Sequence, residues 1–198
     1  MARPKNPFDW SGGHPALDLV NTLDERPLPA PVEHLATYAD LVRFTELAGL
    51  ISPTQARRLR KLSGPAPALV VRRARQLRER IFDTLAARHR QKAVDRDALD
   101  VISEAIRKAH ATRALVPCGS HAIARHGWAS PEALVLPLHA CALAIEDLLT
   151  GAESGRIRKC GAADCEVYFI DRSKGRRRHW CSMGNCGNRE KQRRWRAS

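Results

Sequence analysis

A chain of 198 residues has room for one domain of ordinary size and a smaller one. At 43% hydrophobic and only 5% aromatic, its core must be mainly Leu, Val, Ile and Ala. The formal net charge of +13 favours polyanionic partners, nucleic acid first and an anionic membrane surface second.

No apolar run approaches the roughly 18 residues of a membrane-spanning helix, so none is expected. The opening MARPKNPFDW has no apolar stretch after its charges, which argues against a signal peptide. Six cysteines, four of them in a paired pattern, point to a reducing cytoplasm. Neither an internal repeat nor a low-complexity tract is present.

Residues 1–16 read as irregular. HPALDLVNTL, residues 14–23, predicts a helix: Pro15 suits a first turn, and Leu17, Val20 and Leu23 recur at helical spacing. Asp18, Asn21, Thr22 and Arg26 are polar groups set among apolar ones. They read as a buried network that caps and orders the N-terminal segment, in preference to a small-ligand pocket. RPLPAPV, residues 26–32, is a loop, and a helix is expected from His34 to Ala48, closed by Gly49. The run Ala16-Leu17-Asp18-Leu19-Val20-Asn21-Thr22, with Leu41 and Ala48-Gly49-Leu50 downstream, resembles the start of the ABATE domain. That resemblance implies a regulatory domain of stress-induced transcription regulators; across residues 60–150 it is one of pattern alone.

Ser52-Pro53 supplies an N-cap and N1 proline for a short helix to Leu62. SGPAP, residues 63–67, should break it. The longest helix is expected from Ala68 to Gln91, with Leu69, Val70, Ala74, Leu77, Ile81 and Leu85 as its apolar stripe. Its many arginines read as a solvated face before they read as a nucleic-acid face. Asp95 starts another helix, with Leu99, Ile102, Ala105, Ile106 and Ala109 on one side. Residues 113–128 read as a β-hairpin. Cys118, His121 and His126 fall there, but three such residues without a fourth are a weak metal signal. A Cys–His nucleophile pair would lack both an orienting group and an oxyanion motif, so the chain is not expected to be an enzyme. The last helix of this part runs from Ser130 to Thr150, with a kink or late start at Pro137. Cys141 on it reads as a small buried apolar residue. Residues 151–155, GAESG, look like a hinge.

From Gly151 onward, 13 lysines and arginines stand against 5 acidic residues. Cys160 and Cys165 are separated by four residues, as are Cys181 and Cys186, and fifteen residues lie between the pairs. Two such knuckles are a zinc-ribbon or treble-clef spacing. Cys160, Cys165, Cys181 and Cys186 supply four soft ligands for one Zn²⁺. With no open coordination position, the metal would be structural. After Cys186, GNREKQRRWRAS should form a short helix. Its face opposite Cys186 carries Asn188, Lys191, Gln192 and Trp195, with Arg189, Arg194 and Arg196 toward the flanks. Lys and Arg can neutralise phosphates, Asn and Gln can read base edges, and Trp can stack. The loop Arg172-Ser173-Lys174-Gly175-Arg176-Arg177-Arg178 adds a second phosphate-contact cluster.

Residues 156–196 resemble the CGNR zinc finger, on Cys186-Gly187-Asn188-Arg189, Phe169-Ile170-Asp171-Arg172-Ser173, the basic loop, and Trp180-Cys181-Ser182-Met183. His179 departs from that pattern. The resemblance implies DNA as the partner in preference to RNA. The expected whole is mainly α-helical. A helical domain with a small hairpin occupies residues 1–150, and a treble-clef-like or zinc-ribbon-like finger with four cysteine ligands occupies 151–198. It would be a DNA-binding transcription regulator, compatible with a small-molecule effector and with a homo-oligomer, and without a membrane role. The rival is a structural or protein-interaction zinc module, on RNA or the ribosome.

Overall fold

The computed structural model describes residues 7–117 and 123–196. Cys118 and His121 lie outside the described residues. The order of elements is α1 (Pro15–Val20), β1 (Leu23–Asp24), β2 (Val32–Glu33), α2 (Tyr38–Leu47), α3 (Pro53–Leu59), α4 (Pro65–His89), α5 (Arg96–Ala111), β3 (Arg113–Pro117), β4 (Ala124–Trp128), α6 (Leu136–Thr150), β5 (Ile157–Lys159), β6 (Tyr168–Ile170) and α7 (Asn188–Arg196). The strands form three antiparallel pairs, β1–β2, β3–β4 and β5–β6. The fold is therefore mainly helical with small hairpins, and among the described residues no helix is long and apolar enough to cross a membrane.

These elements gather into two compact units. One runs from Ala36 to Asp147. The other joins the chain up to Leu35 with the chain from Leu148 onward. The expected division at residue 150 therefore does not match the compact units, because the N-terminal segment folds with the finger.

In the helical unit, each helix start has a local cause. Thr37 caps α2 and exchanges hydrogen bonds with Asp40; Ser52 does the same with Gln55 for α3. The first of these moves the expected start from His34 to Tyr38. Helix α4 begins inside the expected break: Gly64 takes φ +105°, and Pro65 occupies the first turn, where its missing N–H costs nothing. Its buried stripe is Val70, Val71, Ala74, Leu77, Ile81 and Leu85, while Leu69 stays exposed. Arg78 is buried too and ion-pairs with Glu79 at 2.8 Å. Asp95 caps α5, which buries Ala98, Ile102 and Ala109 but leaves Leu99 exposed. Helix α6 starts late, at Leu136, with Pro137 in its first turn. It buries Leu136, Leu138, Cys141 and Ile145. Burial pushes the Cys141 thiol up to about 12, which makes it an inert packing group.

In the other unit, α1 ends after six residues, with Asn21 as its C-cap. Its amide brackets the backbone of Tyr168: Nδ2 donates to the Tyr168 carbonyl at 3.0 Å, and Oδ1 accepts from the Tyr168 N–H at 3.2 Å. The Ile170 N–H reaches the Gly12 carbonyl at 2.9 Å. The rest of the expected polar network is present. Asp18 accepts from the Gly12 N–H at 3.0 Å, Thr22 donates to the Leu19 carbonyl at 2.6 Å, and Arg26 donates to the Val20 carbonyl at 3.2 Å. Gly12 has no room for a side chain, since a Cβ there would lie 2.6 Å from Asp18 Oδ1.

Asn21→Ala removes both of its hydrogen bonds to the Tyr168 backbone in a buried strand, and should cost about 2–3 kcal/mol. Amide exchange at Tyr168 should speed up while α4 and α5 stay protected. A second outcome concerns Asp18, which is pushed up from 3.8 to about 7, chiefly by burial. A carboxyl raised on folding favours the protonated fold. Stability should thus fall as pH rises from about 4 to about 7, by at most about 1.4 kcal/mol per pH unit, and level off above. Asp18→Asn should remove that slope when both proteins are melted in urea at fixed excess zinc, and parallel slopes would refute the assignment.

Candidate metal centre and nucleic-acid interface

Strands β5 and β6 pair in the register Ile157↔Ile170, Arg158↔Phe169 and Lys159↔Tyr168. The first knuckle lies between them. The Cys160 N–H donates to the Val167 carbonyl at 2.9 Å, and the Cys165 N–H to that of Ala162 at 3.1 Å. Gly161 donates to the His179 carbonyl at 2.9 Å, and the His179 ring lies where a Gly161 Cβ would be, within 2.2–2.8 Å. The close approach is possible only for glycine. The second knuckle passes through Cys181 into a tight turn, Met183–Gly187, that runs directly into α7. Cys186 stands in that turn, just ahead of the helix, as a treble-clef arrangement requires.

All four sulfurs converge. The Sγ atoms of Cys160, Cys165, Cys181 and Cys186 lie within 4.8 Å of one another, and all four residues are buried. Cys165 and Cys181 are 3.9 Å apart, and Cys181 and Cys186 are 3.5 Å apart. A disulfide would need about 2.05 Å. A tetrahedron with Zn–S bonds of about 2.3 Å has edges of about 3.8 Å, which the set matches. Without metal, the sulfurs favour sharing one negative charge. Thiol donors from Cys165 and Cys181 hold Cys160 far below its ordinary value, and the Cys160 partner pushes Cys165 up to about 12. Zn²⁺ would displace the remaining thiol protons, so that all four sulfurs bind it as thiolates.

The surroundings complete the fit. Ala162 and Phe169 pack with the four cysteines, and Val167 and Trp180 border them half-buried. The Cys181 N–H points at Cys160 Sγ, 3.4 Å away. Arg189 places Nη2 3.3 Å from Cys186 Sγ and 2.9 Å from Asp164 Oδ1, and Arg193 holds the other Asp164 oxygen at 2.7 Å. The cavity beside Cys165, Cys181 and Cys186 measures about 160 Å³, below the size of an organic ligand site.

Residues 13–152 match the family model of ABATE, described as "Putative stress-induced transcription regulator", and residues 156–198 match that of the CGNR zinc finger. The chain belongs to the ABATE family. It carries a CGNR zinc finger at its C-terminal end, with one structural zinc site. No curated protein matches it. The two matched stretches do not coincide with the compact units: Gly12 and Asn21 lie before or within the ABATE stretch yet fold onto the finger's β6 strand.

The expected nucleic-acid residues fall into two groups. Lys174, Arg176 and Arg177 are exposed at the tip of the basic loop, and Asn188, Lys191, Gln192, Arg194 and Trp195 are exposed on α7. Trp195 is 82% exposed, so it does not pack within its own unit. Arg172, Arg178 and Arg189, of the same expected set, also make contacts within the unit. Arg172 ion-pairs with Glu153 at 2.5–2.7 Å. Arg178 lies over the Phe169 ring at 4.2 Å and donates to the carbonyls of Trp180, Ser11 and Cys181. Arg189 serves the Cys186 sulfur and Asp164, as above.

Two residues that organise the site were given no role by the sequence reading. Asp164 tethers α7 to the first knuckle. Asp171 is buried and builds the basic loop: its carboxylate accepts from the Ser173 N–H and hydroxyl and from the Arg178 N–H, at 2.6–3.0 Å. These bonds, the Ser173 hydroxyl first, hold its pKa below the ordinary range. The Asp-x-Ser spacing of an Asx turn was the signal available for it.

Cys181→Ser should abolish zinc retention and melt the unit containing the finger, leaving α2–α5 helical. Metal analysis with circular dichroism checks this. Arg189→Ala should keep the ligands but weaken zinc binding by about 10- to 100-fold, the usual effect of losing a group that supports a metal ligand. A competition titration with a chelator reads it directly, and an unchanged affinity would remove Arg189 from the centre.

Proposed function

We propose that this chain is a DNA-binding regulator whose zinc finger contacts the duplex through the basic loop and α7. The observation that carries the reading is the exposed cationic surface of the finger. Lys174, Arg176 and Arg177 project from a loop that Asp171 fixes, and α7 presents further cations beside exposed Asn188, Gln192 and Trp195. Fixed cations suit phosphates, and amides on a helix suit base edges. The family description, a transcription regulator, supports the same direction. Zinc acts only through structure: it holds the knuckles so that the loop and α7 keep their places.

Binding should be strongly salt-dependent. For about five phosphate contacts, log K should fall against log salt with a slope of about −4 to −5. Arg176→Ala or Arg177→Ala should weaken every sequence alike and reduce the slope by about one. Asn188→Ala or Gln192→Ala should cost roughly 1–3 kcal/mol on the preferred sequence and little elsewhere. Fluorescence anisotropy over a salt series measures all three. Zinc-loaded protein without salt-dependent affinity for duplex DNA would overturn the reading and favour a protein-interaction module.

A further inference from the structure

Helices α4 and α5 pack against each other, and α6 meets the end of α5, where the His139 ring lies 3.0 Å from the Thr112 hydroxyl. A groove of about 400 Å³ runs between the three helices. That volume falls within the range of small-molecule sites, about 300–1,000 Å³. Helical spacing turns each set of lining side chains to one side. On α5 they are Val101, Glu104, Ala105 and Lys108, at i, i+3, i+4 and i+7. On α4 they are Arg73 and Leu77, one turn apart. Val135, Leu138 and His139 repeat the i, i+3, i+4 pattern. The His139 N–H bonds to the Val135 carbonyl at 3.0 Å, so this turn is helical too.

The floor is apolar and holds one polar ring. Leu77 and Leu138 are buried, and Val101, 44% exposed, is an open apolar wall. His139 is only 8% exposed, and one side of its ring is fixed. The Thr112 hydroxyl donates its single proton to the Ala109 carbonyl at 2.8 Å, so His139 Nδ1 must donate to the hydroxyl oxygen. Nε2 is then the acceptor of the ring, and it has no hydrogen-bond partner among the described residues. Burial, and after it the Lys108 charge, lowers the His139 pKa, so the ring stays neutral. A side chain this deeply buried ordinarily has its polar atoms satisfied. The rim, in contrast, is charge-balanced. Arg73 and Lys108 stand against Asp100 and Glu104, and Glu104 is bound by Lys108 at 3.1 Å and by Arg107 at 2.7 Å. On a chain of net charge +13, this groove therefore does not select for anions.

We propose that this groove binds an uncharged, largely apolar small molecule bearing one hydrogen-bond donor, of the indole or phenol class, with His139 Nε2 as the acceptor. The body of such a ligand leaves water against Leu77, Val101 and Leu138. Its N–H or O–H supplies the partner that Nε2 lacks. A ligand without a donor would leave Nε2 unpaired and cut off from water. A charged ligand would give up hydration that the balanced rim does not replace. The inference is independent of DNA binding, since every group it uses belongs to the helical unit.

The test uses the full zinc-loaded chain with its histidine rings labelled for NMR, and calorimetry for the affinities. Indole should move the His139 Nε2 signal saturably, with a Kd below about 1 mM. 1-Methylindole, which lacks the donor, should bind at least about threefold more weakly. Indole-3-acetate, the same ring with a carboxylate, should gain nothing over indole. His139→Asn keeps an N–H for the Thr112 hydroxyl in place of Nδ1 but has no counterpart of Nε2. It should abolish the preference for indole over 1-methylindole. Val101→Arg, at an exposed position that should not disturb folding, should weaken indole by at least about tenfold by filling the apolar wall with a charged chain. Arg177→Gln, on the finger, should leave it unchanged. The proposal falls if indole does not move the His139 signal up to about 10 mM, or if 1-methylindole binds as tightly as indole. It also falls if His139→Asn keeps the preference, if Val101→Arg leaves the affinity unchanged, or if indole-3-acetate binds more tightly than indole.

Discussion

Four sulfurs held around one point are the constraint on which the finger depends. Apart from the cysteines, the cluster around that point buries only Ala162 and Phe169, with Val167 and Trp180 half-covered. So small a core cannot order a module that carries a long basic loop and a charged helix. Structural zinc in peptide fingers contributes about 10–16 kcal/mol of apparent binding energy, more than such a core could supply. The metal therefore sets the positions of both knuckles, and through Cys186 it sets where α7 begins. What zinc does not do is cover β6. Tyr168, Phe169 and Ile170 are all buried, and residues Gly12 and Asn21 take up the backbone groups of this strand.

Charge inside the finger is divided by role. A zinc ion held by four thiolates is formally −2, and Arg189 sits against one of its sulfurs. Arg178 stacks on Phe169 and ties the second knuckle to Ser11. These arginines stabilise the fold that displays the others. Asp171 makes the display possible, because seven loop residues with five cations repel one another unless something fixes the backbone. Gly175 and Arg176 adopt left-handed φ of +79° and +53°, and the Asp171 carboxylate and the Ser173 hydroxyl accept the N–H groups that this tight path turns inward. Lys174, Arg176 and Arg177 thus share one fixed loop, in which like charges repel.

What was legible in the sequence was what local chemistry determines. The cysteine spacing identified the centre because ligand pairs four residues apart are a local geometric demand. Ser52 with Pro53 marked the start of α3, and Asp95 that of α5. Thr37 with Asp40 is the same kind of signal for α2, and it places the start four residues after the expected His34. The SGPAP run misled because prolines at helix starts and prolines in breaks look alike until Gly64 is seen to take the positive φ that begins α4. The packing of the N-terminal segment on β6 was not legible: Asn21 and Tyr168 are separated by 147 residues, and an asparagine after a short helix carries no mark of a partner so distant.

That separation also orders the assembly of the unit. Bringing Cys165 to Cys181 closes a loop of 16 residues, whereas bringing Asn21 to Tyr168 closes one of 147. In a flexible chain the longer closure costs about 2 kcal/mol more, by the logarithmic dependence on loop length. Two hydrogen bonds from one amide barely offset that difference. The path of least cost therefore has the metal gather the knuckles first. The β5–β6 pair then presents a finished edge, and the N-terminal segment docks onto a strand that is already straight. Once docked, the segment buries backbone that the metal cannot reach, so the zinc centre and the polar network around Asp18 and Asn21 each stabilise what the other leaves open. This is the physical reason why a finger with a complete ligand set of its own still draws on residues from the far end of the chain.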